Sequence, residues 1–242
     1  MAASHLDIHL SNAEFELDEM YSRKTPKTQT QTQALHVCEL HRIAAIANLL
    51  PTGNPNRFLE HLRKSGLRYR QFLESGAARL TSCIAPIFDS MACADFETAL
   101  GCALALGSAW QAGREYEEDH VYAMFVGAVL RGDEAVAAKH LVRFEALSAD
   151  FADVRCSLCT AYLSTDEPAF DAALERFADA YRKSQQRLME EDVLSPVEFD
   201  TMGRINIEAL AWIQLGLRRG FALQSEYLLA PSIARPPARA DD

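Results

Sequence analysis

Between Val121 and Arg187 one helical unit is written twice, and this restricts the chain to a small set of folds. Leu130-Arg-Gly-Asp133-Glu134 through Leu141-Val-Arg143-Phe144 aligns with Leu163-Ser-Thr-Asp166-Glu167 through Leu174-Glu-Arg176-Phe177 at a constant offset of 33 residues. In each copy an apolar helix leads into a turn whose Asp is placed to cap, and an amphipathic helix carrying Leu-x-Arg-Phe follows. A period of this length is that of stacked helical hairpins, in which each unit buries its apolar face against the next. The fold class expected is all-α: stacked antiparallel hairpins of the tetratricopeptide type in one compact domain.

Composition agrees with that reading. Of 242 residues 49% are hydrophobic, with only 9 Pro and 11 Gly, and no strand-type alternation of Val, Ile and Thr appears. Three parts are expected: a short helix and polar connector over 1–33, an all-helical domain over 34–230, and a flexible tail over 231–242. In the first part, Ser11-Asn-Ala-Glu14 has the capping-box pattern and predicts a short helix to about Ser22 with little to bury. The polar run Arg23–Gln33 predicts a mobile connector.

Through the domain, the periodicity predicts a core helix over Ala34–Leu50, and Asn54-Pro55 restarts a helix that carries on toward Leu80 with a bend or break at Gly66. Further helices are expected over Ile84–Phe88, Met91–Trp110, Val121–Leu130 and Glu134–Leu147. Ala94-Asp95 looks like a degenerate copy of the Gly-Asp turn, and Asp150 is placed to cap a helix over Phe151–Leu163. Ser195-Pro-Val-Glu198 combines an N-cap Ser, Pro at the first helical position and Glu at the third, which predicts a helix running on to a Gly220 cap. Phe221–Tyr227 reads as extended.

Charge narrows the partners. Lys and Arg number 24 against 34 Asp and Glu, a net charge of −10. That balance argues against a nucleic-acid backbone, which needs clustered cations, and favours a basic protein partner. The one basic stretch (Arg57, Arg63, Lys64, Arg68, Arg70, Arg79) reads as a solvated helix face against acidic neighbours. The densest acidic run is Gly113–His120, and its Glu115, Glu117, Glu118 and Asp119 are the candidate protein-binding residues. No secretory leader and no run of roughly 20 apolar residues is evident, so a cytoplasmic location and no membrane partner are expected.

No catalytic, cofactor or metal residue is singled out. Cys156-Ser-Leu-Cys159 has the spacing of a zinc or dithiol pair, but no second pair completes four ligands and the segment is apolar, so the thiols read as reduced core residues. His36 and His41 fall on different faces of a helix and do not share a metal. There is no glycine-rich phosphate loop, no Gly-x-Ser-x-Gly elbow and no His-Glu-x-x-His.

Leu-x-Gly-Asp hairpin turns, followed by a closing segment Glu208-Ala-Leu-Ala211, Leu217-Arg-Arg-Gly220 and Ser225-Glu-Tyr-Leu228, give a layout that resembles the Imm49 group of immunity proteins from bacterial polymorphic toxin systems. The resemblance covers about Tyr69–Ile233. It implies a non-enzymatic protein that binds and neutralises a cognate toxin, with no catalytic residues and no cofactor. The alternative expectation is a tetratricopeptide-like adaptor or secretion chaperone that holds a protein or peptide in a groove.

Overall fold

The computed structural model describes residues 4–22, 29–150 and 153–237. All regular structure among them is helical: α1 (His5–Ser22), α2 (Gln31–Thr52), α3 (Pro55–Glu74), α4 (Ala85–Ala92), α5 (Phe96–Ala105), α6 (Glu117–Leu130), α7 (Glu134–Ser148), α8 (Val154–Leu163), α9 (Glu167–Glu190), α10 (Pro196–Asp200) and α11 (Ile207–Arg219), with a single 3-10 turn at Ser232–Ala234. Consecutive helices pair as hairpins, α2 with α3, α4 with α5, α6 with α7 and α8 with α9, and neighbouring hairpins touch through α3–α5, α5–α6 and α7–α8. Helix α11 then returns to pack on α4 and α9, which closes the stack. No helix among the described residues is long and apolar enough to cross a membrane.

The repeated turn has one geometry in three places. Asp133 and Asp166 are N-caps whose carboxylates accept from the backbone N–H of Val136 and Ala169 at 3.0 Å each. The residue before each Asp, Gly132 or Thr165, has positive φ. The Asp N–H itself reaches back five residues, to Ala128 O and Ala161 O. Ala94-Asp95 repeats every part of this: φ of +58° at Ala94, Asp95 N–H to Ser90 O, and an Asp95 carboxylate accepting from Thr98 N–H. One turn thus serves three successive hairpins, ending the first helix left-handed and capping the second. Arg143 and Arg176 occupy the same place counted from these caps, and both Phe144 and Phe177 beside them are buried.

Several boundaries differ from those the sequence suggests. Helix α1 begins about two turns earlier, at a box in which Ser4 Oγ accepts from Asp7 N–H and the Asp7 carboxylate accepts from Ser4 N–H, so Ser11-Asn-Ala-Glu14 lies mid-helix. It is not idle: Ala13 and Leu17 are buried against Val37, Leu40, Ile43 and Ala44 of α2. Helix α2 starts inside the expected connector because Thr30 and Gln33 form a reciprocal capping box, and the rest of that connector, 23–28, lies outside the described residues. The α8 cap is Asp153 rather than Asp150, and residues 151–152 are likewise outside.

Helix α3 runs unbroken past Gly66, whose missing Cβ makes room for Ser90 of α4, and it stops at Glu74 rather than near Leu80. The helix from Ser195 does not run on to Gly220. It ends at Asp200, where the Thr201 hydroxyl bonds back to Val197 O, and Asn206 caps a separate α11. The tail is docked as far as Arg235: Ala234 is fully buried and the Arg235 guanidinium donates to Ala230 O and Gln224 O, while 238–242 lie outside the described residues.

The core is one continuous body from α2 to the docked tail. Trp212 of α11 sits at its middle, in ring contact with Phe125, Tyr162 and Phe170. Its indole N–H donates to the Tyr122 hydroxyl at 3.0 Å, which in turn donates to Glu208 Oε1. A second polar group is set deeper. Arg42 of α2 donates through Nε to both oxygens of Asp89 on α4, at 2.8 and 2.9 Å, and the Ser65 hydroxyl of α3 donates to the same fully buried carboxylate. Removing one member of such a group leaves the other's charge uncompensated, whereas replacing both with apolar residues of similar size does not. Asp89→Ala is therefore expected to cost about 3–5 kcal/mol in denaturant unfolding. The double variant Asp89→Leu with Arg42→Met should recover most of that loss, and a double variant no more stable than Asp89→Ala would show that the pair itself holds the helices.

Candidate protein-binding surface

Two loops at one end of the stack, 75–84 and 106–116, are stitched to each other by polar contacts. Arg79 donates to Leu106 O and Leu73 O, and Gln111 Nε2 donates to Arg79 O. The Glu115 carboxylate completes the seam, accepting from Ser82 N–H and Gln111 N–H at 2.9 Å each and from the Thr81 hydroxyl. Gly107 and Gly113 take the left-handed φ values, +87° and +77°, that turn the chain here. Burial works against the Glu115 charge, but the backbone N–H groups of Ser82 and Gln111 outweigh it and hold the carboxyl below its ordinary value. Glu115 is thus the peg of the loop.

What this rigid loop presents is aromatic. Trp110 is 43% exposed with its indole N–H donating to Glu115 O, and Tyr116, the residue before α6, is 74% exposed. Such side chains add contact area at low entropic cost and are enriched among residues that dominate binding energies. The sequence pointed to the carboxylates of this run and passed over the aromatics between them.

The structure divides the four candidate residues. Glu115 is spent on the loop seam. Glu117 pairs with Arg143 of α7 at 2.6 Å, and Asp119 pairs at 2.9 Å with Arg155, which also holds Asp153. The guanidinium of Arg155 lies over the Tyr122 ring as well, so this ion group ties α6 to α8. Glu118, half-buried like the other three, is the one carboxylate of the four with no cation or N–H partner among the described residues. All three first-turn acids also complement the positive end of α6.

The other motifs resolve into packing. Cys159 is fully buried and Cys156 half-buried, and burial pushes both thiols up, away from the reactive thiolate. No group of three or more potential ligands converges among the described residues. The basic stretch is dispersed: Lys64 pairs with Glu60, Arg70 with Glu74, and Arg79 caps backbone carbonyls. His36 meets Glu16 at the surface.

His41 turns inward, which helical spacing alone did not reveal because its partners come from two other helices. Tyr21 of α1 bonds His41 Nε2 at 2.8 Å, and His41 Nδ1 bonds His61 Nδ1 of α3 at 3.1 Å. The chain floors a cavity of about 690 Å³ whose rim carries Glu14, Asp18, Glu60, Arg57 and Lys64. Burial pushes His41 down to about 3 and His61 down to about 4.

No family model matches the chain, and neither a curated protein nor a solved structure is significantly similar to it.

Two measurements test these assignments. Glu115→Ala should speed hydrogen exchange at the Ser82 and Gln111 amides by roughly tenfold, the weight of one charge-assisted hydrogen bond. The amides of α11 should not change, and unaltered exchange at all of these positions would free Glu115 from its role. The imidazoles set a pH window. Both have folded values below the unfolded 6.5, so their contribution is complete above that pH and declines as pH falls toward about 4 and about 3. Replacing His61 with Gln should flatten the stability profile between pH 6.5 and 4; a profile as steep as that of the unaltered protein would rule the pair out as its cause.

Proposed function

We propose that this chain is a non-catalytic protein-binding scaffold, an immunity protein that neutralises a cognate bacterial toxin by docking it on the loop surface around Trp110 and Tyr116. The observation that carries the reading is the combination of two exposed aromatics with a loop already fixed by Glu115, Gln111 and Arg79. A preorganised anchor avoids the ordering cost that a flexible loop meets on binding. The resemblance of the hairpin turns and closing segment to immunity proteins names the class of partner. The net charge of −10, with Glu118 unpaired at the edge of the loop, suits a basic toxin domain.

In this reading the acidic residues and the aromatics have different duties. Carboxylates at the rim speed and orient encounter, whereas the aromatics resist dissociation. A specific interface buries on the order of 1,600 Å² in all, so the loop forms its centre and further residues complete it.

The experiment is co-expression with any toxin domain found encoded beside this chain, read as cell growth, together with binding kinetics on the purified pair. Trp110→Ala with Tyr116→Ala should raise the dissociation rate by about tenfold or more and abolish protection. Glu118→Lys should lower the association rate and its salt dependence while leaving dissociation nearly unchanged. Full protection by the aromatic double variant would move the interface elsewhere, and failure of the unaltered chain to protect would reject the immunity reading.

A further inference from the structure

Helix α11 begins beside a partly open cavity of about 140 Å³, in which Arg42, Asp89, Tyr181, Asn206 and Glu208 are set among a larger apolar lining that includes Phe88, Met202 and Ile205. We propose that this cavity is a binding site for a small carboxylate, of the size of acetate or formate.

The donors that face an occupant are unusually well defined. Asn206 is fully buried and its Oδ1 is committed to the N–H of Ala209, so its other branch, Nδ2, is the free one. That nitrogen is buried without a partner, as is Nη2 of Arg42. Arg42 is held by Asp89 through Nε alone, the N–H reaching both carboxylate oxygens, instead of through the usual two-nitrogen fork. Its Nη2 hydrogens are thereby left over. Two buried donors on residues that line one cavity are costly unless an acceptor meets them.

Charge and shape select what that acceptor is. Asp89 is neutralised in place by Arg42, with Ser65 donating to it as well. The Tyr181 hydroxyl is spent on Met202 O. Burial pushes the Glu208 carboxyl up, and the Tyr122 hydroxyl already donates to its Oε1. The first-turn N–H groups of a helix have no intrahelical acceptor, and the start of α11 carries the positive end of its dipole. A guanidinium nitrogen, an amide nitrogen and a helix N-terminus around one small space fit the two oxygens of a carboxylate. The apolar side takes a methyl group. The volume admits a ligand of roughly four to six non-hydrogen atoms, or a handful of waters at about 30 Å³ each.

The test is thermal unfolding of the full chain at pH 7 and constant ionic strength, with sodium acetate exchanged for sodium chloride and benzoate as the size control. Acetate should raise Tm saturably, by about 3–5 °C at ten times its Kd, and benzoate should not. Asn206→Asp keeps the helix cap but replaces the free donor with a carboxylate oxygen, and it should abolish the acetate shift. Asn206→Ser keeps a capping oxygen without the charge and should weaken the shift, which serves if the Asp variant does not fold. A crystal structure grown in acetate should show the anion bonded to Arg42 Nη2 and Asn206 Nδ2. Water alone at that position, identical curves in acetate and chloride, or an undiminished shift in the Asn206 variants would each overturn the proposal.

Discussion

The buried Arg42–Asp89–Ser65 group is the constraint on which the N-terminal half depends, because it joins α2, α4 and α3 through one shared carboxylate. Apolar packing is tolerant of small rotations, since any helix face of suitable volume fills space almost equally well. A fully buried carboxylate is not tolerant: it requires its donors at hydrogen-bond distance and in the right direction. Once α4 is fixed against α2 and α3, Gly66 must lie against Ser90, because a Cβ there would collide with the serine. The next hairpins then follow from the turn chemistry, each stacked on the last.

The sequence showed what local rules govern. Three Asp-capped turns, the Asn54-Pro55 and Ser195-Pro196 starts and the Gly220 stop are all encoded within a few residues of where they act, and the all-α fold follows from their spacing. Boundaries were misplaced where a nonlocal partner overruled the local signal. Gly66 looked like a breaker because nothing in α3 reveals that Ser90 presses against it. Ser11-Asn-Ala-Glu14 has the letters of a cap, but Ser4 and Asp7 form one about two turns earlier and the helix simply runs through. Ala94-Asp95 was visible only as a poor copy because the inserted loop 106–116 lengthens the spacing to the next turn.

The same distinction explains the site residues. A cluster of carboxylates in a sequence says that charge is concentrated, not that it is free, and at the start of α6 and the loop before it three of four acids are answered by cations or N–H groups from elsewhere in the fold. Arg143 and Arg155 lie 26 and 36 residues away from the acids they hold, a separation that no periodicity argument covers. The expected helix over Met91–Trp110 stops at Ala105, and Trp110 and Tyr116 stand beyond it in a loop, where a large ring has no helix face to complete.

Rigidity connects these features to function. The loop 106–116 that carries Trp110 and Tyr116 is anchored in the core at Leu106, and its partner loop 75–84 at Ile84, but between such anchors an exposed segment is ordinarily mobile. Here polar side chains do the work that a core does elsewhere: Glu115 gathers two backbone N–H groups, while Arg79 spans from α3 to the end of α5. Such a seam can fix a loop without burying its aromatics, which leaves them available to a partner. An apolar seam could hold the loop as firmly only by drawing those rings inward. The physical argument for a binding surface is therefore the mismatch itself, since a chain that needed only stability would have buried the Trp110 ring rather than fastening its indole N–H to Glu115 O and leaving its face in water.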